Sequence, residues 1–247
     1  MKLRWKILLG TVLVIALGIT YYYTIDKQDR VSQAAPEGIA ALESDNQVTV
    51  TEGEWIVFTP GTATPTKGLI FYPGGEVDER GYALPLHEIA AAGYLVVLVP
   101  MPLQLAVFAP DKATEVIAAY PEISKWAIAG HSLGGSMAAR YTFHHPENID
   151  GLIMWDAYPA DDMSENTLPV RMIHRSDAAG AVPEDYAPYL SRLPEQTDFV
   201  PLEGGQHLNF GNFIAGRMYR NEPAAELDPV QQRTRAVAAT VEFMQAL

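Results

Sequence analysis

Apolar positions along the chain fall into two kinds of block, and their alternation predicts a layered domain behind an apolar leader. Near-continuous apolar runs at Lys67 to Tyr72, Tyr94 to Val99, Trp126 to Ala129, Leu152 to Trp155, Val170 to His174 and Asp198 to Leu202 read as strands. Gln47 to Thr51 and Trp55 to Phe58 read as a strand pair ahead of them. Between these runs the spacing changes to helical at Leu86 to Ala92, Lys112 to Tyr120 and Ser136 to His145, and Pro229 to Leu247 closes the chain as a helix. A strand that is apolar on both faces needs cover on both faces. The pattern therefore predicts an α/β fold with a mostly parallel central sheet, helices on either side, and ligands at the carboxyl ends of the strands.

The first block is different. Residues 7–25 carry no charge, and as a helix they reach about 28 Å, close to the hydrocarbon thickness of a bilayer. Lys2, Arg4 and Lys6 precede this run, and Tyr21, Tyr22 and Tyr23 sit near its far end. That arrangement predicts an N-terminal transmembrane signal-anchor over residues 1–25, single-pass at the cell membrane, with the bulk of the chain extracytoplasmic. Ala16-Leu17-Gly18 also has the small-x-small spacing of a cleavage site, which would release the chain as a secreted protein. A buried core helix is the third reading, and it would need cover on every face. Residues 26–46 are polar, with Pro36 and Gly38, and read as a stalk with one helical turn at Ile39 to Glu43; residues 47–247 form the domain.

Charge and cysteine content narrow the function. Residues 1–30 hold five basic and two acidic side chains, so the formal charge of −13 becomes −16 for residues 31–247. Such a surface repels polyanions, which excludes a nucleic-acid partner; most of the acids serve solubility. With no cysteine, disulfides and thiolate metal sites are excluded.

The candidate chemistry begins at Lys125 to Gly135, Lys-Trp-Ala-Ile-Ala-Gly-His-Ser-Leu-Gly-Gly. A G-x-S-x-G turn between an apolar strand and a helix pushes Ser132 out of the sheet edge, and Gly130 and Gly134 permit the sharp corner. Serine needs a base, and the base needs an acid to hold its tautomer. Among the six histidines, His207 alone sits on a glycine-rich loop past the last strand, in Gly204 to Gly211. His174 is the reserve as a strand residue. Asp177, in the polar break after Val170 to His174, is favoured as the acid over Asp156, which ends Gly-Leu-Ile-Met-Trp-Asp. Oxyanion donors are expected from the Leu133 N–H and from Gly74 or Gly75 in Tyr72-Pro73-Gly74-Gly75, directly after a strand.

Together Phe-Tyr-Pro-Gly-Gly, Met-Pro-Leu-Gln-Leu-Ala-Val-Phe, Gly-His-Ser-Leu-Gly-Gly and Gly-Gly-Gln-His-Leu-Asn-Phe-Gly make the chain resemble the α/β-hydrolase superfamily, and most of all its small, capless bacterial branch with a dienelactone-hydrolase-like core. One departure is His174 where the family's acid loop has a glycine. The resemblance implies a serine hydrolase that cleaves carboxylic esters, with Ser132, His207 and Asp177 as triad and no metal or organic cofactor. Residue reading and resemblance agree on that chemistry. About fifteen residues separate the strands ending at Trp155 and His174, too few for a helical lid, so a small-molecule ester with a short or medium acyl chain is expected. Met101, Leu103, Leu105 and Phe108 are candidates for an acyl pocket, and Phe210, Phe213, Ile214, Met218 and Tyr219 for a flap above it. Two other roles are compatible with these residues: a membrane-tethered binding protein that kept the fold without catalysis, and an envelope acyltransferase.

Overall fold

The computed structural model describes residues 2–22, 27–61 and 64–247. Eight strands form one sheet: β1 (Val48–Glu52), β2 (Ile56–Pro60), β3 (Lys67–Tyr72), β4 (Leu95–Leu98), β5 (Lys125–His131), β6 (Gly151–Trp155), β7 (Val170–Ser176) and β8 (Asp198–Glu203), in the order β1-β2-β4-β3-β5-β6-β7-β8. The two edge pairings β1·β2 and β2·β4 are antiparallel, and all others are parallel. The helices are α1 (Lys2–Tyr21), α2 (Lys27–Arg30), α3 (Pro36–Ala40), α4 (Ala83–Ala91), α5 (Ala113–Ala119), α6 (Leu133–His144), α7 (Arg217–Asn221) and α8 (Pro229–Ala246).

The apolar runs from β3 to β7 are strands whose two faces are largely covered, whereas β8 at the sheet edge buries only Leu202 fully. Along β3, Leu69 and Phe71 join one core with α4 and α8, while Ile70 and Tyr72 join the other with α5 and α6. Chain-local chemistry fixes the start of α8: Asp228 caps it by accepting from the Val230 and Gln231 N–H groups, both at 3.0 Å, with Pro229 at the first turn. Trp155 is fully buried, meets Phe71 edge-on at 5.0 Å between ring centroids, and donates its indole N–H to Thr240 of α8 at 3.0 Å.

Helix α1 contains an 18-residue window, Arg4–Tyr21, apolar enough to span a membrane or to serve as a signal sequence, and none of that window is buried in the protein. Tyr23 to Ile25, the end of the apolar run, lies outside the described residues. The stalk expectation for 26–46 meets a different arrangement in the part that is described. Ser32 N–H donates to the Glu76 carbonyl and Asp78 N–H to the Ser32 carbonyl, both at 2.8 Å. Ala35 N–H donates to the Asn212 carbonyl at 2.8 Å, and Val31, Ser32, Ala35 and Gly38 are buried. From Arg30 onward this stretch is bonded to the domain instead of standing free of it.

Candidate active site

Strand β5 ends at His131, and α6 begins one residue later at Leu133. Ser132 makes the whole corner, with φ 52° and ψ −124°, a backbone region that a non-glycine residue occupies only when its surroundings enforce it. They do so here. The Ser132 N–H donates to the Trp155 carbonyl at 3.0 Å, and the Ser132 carbonyl accepts from Ser136 N–H at 3.0 Å. A Cβ on Gly130 would lie 2.5 Å from the Gly134 carbonyl carbon, and one on Gly134 would lie 2.2 Å from the Tyr72 carbonyl oxygen. The G-x-S-x-G glycines thus let strand and helix cross at backbone contact. Ser132 faces a cavity of about 640 Å3 that Leu133, Asp156 and His207 also line.

His207 opens a short 3-10 turn, His207–Phe210, on the loop beyond β8. Its Nδ1 lies 2.5 Å from Asp156 Oδ2. The structure brings Asp156, and not Asp177, to the histidine, which corrects the favoured acid. The reason is sheet order: β6 lies next to β5, so a residue after Trp155 is one strand from Ser132, whereas Asp177 follows β7, one strand further out. Asp156 also has a positive φ of 44°, which turns its carboxylate back over the sheet edge. Asp177 is spent locally, accepting from the Ala179 and Ala181 N–H groups at 2.9 and 3.1 Å. The reserve base, His174, is buried in β7 with Nδ1 against its neighbour's carbonyl, Arg175 O, at 2.8 Å.

Burial alone would push the fully buried Asp156 carboxyl upward. The His207 hydrogen bond, then the His207 and Arg175 charges, outweigh it and hold the group below its ordinary value. Arg175 reaches Asp156 twice: its backbone N–H donates to Oδ1 at 3.1 Å, and its Nε lies 3.1 Å from Oδ2. The carboxylate is thereby kept ionised and aimed at the imidazole.

On the other side of His207, the His131 ring packs at 4.5 Å between centroids, and Phe210 stacks on His131 at 5.5 Å. Burial first, then the neighbouring His207 charge, push the His131 imidazole well below its usual value, so it stays neutral. Its Nδ1 lies 2.6 Å from Tyr82 Oη, and that hydroxyl accepts the Gly74 N–H at 3.2 Å. This occupies one of the two expected oxyanion glycines. A Cβ on Gly75, by contrast, would lie 3.1 Å from Leu133 Cδ2, so Gly75 is the glycine beside the Leu133 end of α6. Of the two glycines, Gly75 is thus the one whose backbone lies beside Leu133 and is not bonded to Tyr82.

The chain matches the family described as "Alpha/beta hydrolase family" over residues 68–228, well over half of its length. It belongs to that family. No curated protein matches the sequence. Among solved structures, this α/β hydrolase is similar to a ferulic acid esterase from Streptomyces cinnamoneus, with TM-score 0.56 and 13% identity over 76% of this chain and 68% of that one. A Pyrobaculum calidifontis esterase aligns with TM-score 0.56 and 12% identity, over 85% and 88% of the two chains. One of the metagenome-derived lipolytic enzymes LipS and LipT aligns with TM-score 0.51 and 12% identity, over 81% and 98%. At such identities the likeness is one of fold.

Within this hydrolase the cavity wall is more polar than the sequence suggests. Arg175, Asp185, Arg217 and Glu222 line it together with Tyr158 and Tyr186. Of the residues expected in an acyl pocket or flap, only Met218 reaches it; Phe210 and Phe213 are buried in the core, and Leu103 and Phe108 are exposed on the loop beside it. Glu222 had no sequence signal at all. Its carboxylate accepts the Leu208 N–H at 3.0 Å and so braces the His207 turn, and burial raises its pKa against that bond. Among the described residues, no three His, Asp or Glu side chains converge as a metal site.

Proposed function

We propose that the protein is a serine carboxylesterase acting through an acyl-enzyme. The observation that carries the reading is the 2.5 Å contact between His207 Nδ1 and the buried Asp156 carboxylate, in the cavity that also holds the strained Ser132. Ser132 Oγ attacks the ester carbonyl while His207 accepts its proton through Nε2. Asp156 holds the imidazole in the tautomer with hydrogen on Nδ1 and stabilises the imidazolium. The N–H groups of Leu133 and Gly75 take the developing oxyanion, each such donor being worth about 10² to 10³ in rate. His207 then returns the proton to the leaving alcohol, and water attacks the acyl-enzyme by the same route.

The esterase and lipolytic-enzyme neighbours support ester hydrolysis as the reaction class. A retained α1, with the domain on the extracytoplasmic side, is the localisation that the basic residues ahead of the apolar run support. The test is turnover of p-nitrophenyl esters of graded chain length with labelling by a fluorophosphonate probe. Wild-type protein is expected to label and turn over, with the short and medium esters cleaved best. Ser132→Ala is expected to lose labelling and to drop kcat by at least about 10³-fold. Labelling that persists in Ser132→Ala would remove the serine from the mechanism.

A further inference from the structure

We propose that the mouth of the Ser132 cavity lies against the bilayer surface, and that the enzyme takes its ester from the membrane. The substrate class is an amphiphile whose apolar chains stay in the lipid while its polar, ester-bearing end enters the cavity. This deepens the reading above and rests on it, both for the ester chemistry and for the retained α1.

The chain leaves α1 at the rim of the site. Arg30 joins the two: its Nη2 donates to Tyr22 Oη at 2.5 Å with the guanidinium 4.8 Å over that ring, and its Nη1 lies 2.5 Å from Glu76 Oε1. Glu76 lines the cavity and follows Gly75 directly. Ser32 then bonds on both sides of the same turn, at the Glu76 carbonyl and the Asp78 N–H. Only five peptide steps separate Tyr22 from Lys27, a reach of at most about 18 Å when fully extended. A domain of this size is roughly 45 Å across. A tether that short, fixed at one point of the rim, keeps that edge of the site within about 18 Å of the end of α1 and favours its facing the membrane.

The other flank of that turn is apolar and open. Glu76 N–H donates to the Gln104 carbonyl at 3.0 Å, which fixes the loop carrying Leu103, Val107 and Phe108 beside it. These three side chains are 40%, 51% and 58% exposed, a cluster that soluble surfaces rarely display and that suits insertion at headgroup depth. Charge agrees with this face. In a domain of strongly negative charge, Arg30, Arg217 and Arg220 meet Asp29 and Glu76 here, Arg30 on Glu76 and Arg220 and Arg217 both on Asp29 at 2.6 and 3.9 Å. Pairing of these cations with Glu76 and Asp29 lowers the local repulsion that an acidic domain meets at anionic lipid. Behind it the charged cavity wall, with Arg175 and Arg217, fits a polar head better than an acyl chain.

The experiment uses the full chain reconstituted into phosphatidylcholine vesicles containing phosphatidylglycerol. Two probes share one leaving group: 4-methylumbelliferyl oleate, held in the bilayer, and 4-methylumbelliferyl butyrate, supplied from water. One variant carries a Gly-Ser insert of about 30 residues between Thr24 and Ile25, which lets the domain stand off by a further ~30 Å; the other is Val107→Asp. Both are expected to lower oleate turnover about five- to tenfold while butyrate turnover stays within twofold. An oleate-to-butyrate ratio unchanged by the insert overturns the proposal. Should the insert also abolish butyrate turnover, the ratio in Val107→Asp decides in its place. Butyrate cleaved without oleate by the unaltered chain overturns the membrane substrate and leaves the esterase standing. Neither ester cleaved overturns the esterase reading itself.

Discussion

Backbone strain in this protein is confined to the site and its rim: the non-glycine residues with positive φ among those described are Glu76, Leu103, Gln104, Ser132 and Asp156. Each such residue costs on the order of 1–3 kcal/mol, so the fold holds Ser132 and Asp156 in place against a local penalty. Asp156 is the more informative of the two, because its 0% exposed carboxylate serves the His207 ring and the Arg175 backbone and guanidinium together. Asp156→Asn keeps the volume but removes the charge that fixes the imidazole tautomer. It is expected to lower kcat/KM for p-nitrophenyl butyrate by about 10³- to 10⁴-fold, while Asp177→Asn stays within about twofold. The reverse ranking would return the acid to the β7 loop. Ser132 and His207 were legible in the sequence because their signals are local: a five-residue turn, and a histidine between glycines. The acid was not. Asp156 and Asp177 both follow apolar strands, and only the lateral order of those strands decides which carboxylate arrives.

Among the elements, the strands were read to within about two residues at each end, the central ones because a run buried on both faces carries its own signature. Helix α6 starts three residues earlier than its spacing suggests, because Gly134 and Gly135, poor helix formers alone, are what let it touch β3 and β5. Helix α7 and the wall it supplies through Arg217, Met218 and Asn221 had no periodic pattern to betray them. A contact between elements that no sequence pattern announces is Trp155 of β6 with Thr240 of α8. The indole N–H has Thr240 Oγ1 as acceptor at 3.0 Å, and that hydroxyl in turn donates to the Ala236 carbonyl at 2.8 Å, all of it buried. Thr240→Val keeps the shape and strands the N–H. It is expected to cost about 1–3 kcal/mol in urea unfolding, with the urea dependence of the free energy unchanged. A cost near zero would mean that the indole finds another acceptor and that α8 is held on the sheet by apolar contact alone.

For the molecule as a whole, the buried histidine beside the site ties stability to pH. His131 has its imidazole pKa well below the ordinary value, by burial first and by the His207 charge second. The unfolded chain therefore takes up a proton near pH 6.5 that the native protein refuses. Stability is full above that value and falls as pH drops, until the lower native pKa is reached, with a slope of up to about 1.4 kcal/mol per pH unit for one proton. His174, also lowered by burial, adds in the same sense. Asp156 loses stability in the same direction, but only below about pH 3.9, where unfolded aspartate begins to protonate. Glu222 and Glu88, raised by burial, act in the opposite sense from about pH 4.5 upward. Between pH 7.5 and 5.5 the two histidines lower stability as pH falls, and Glu222 and Glu88 act only to offset that loss. Urea unfolding of the full chain in detergent at pH 7.5, 6.5 and 5.5 is expected to show this loss. His131→Gln, which can still bond Tyr82, is expected to flatten the pH dependence by up to one proton. An identical slope in the variant would mean that the folded protein protonates His131 as readily as the unfolded chain does, and the His131–Tyr82–Gly74 line would then carry a charge next to the His207 imidazole.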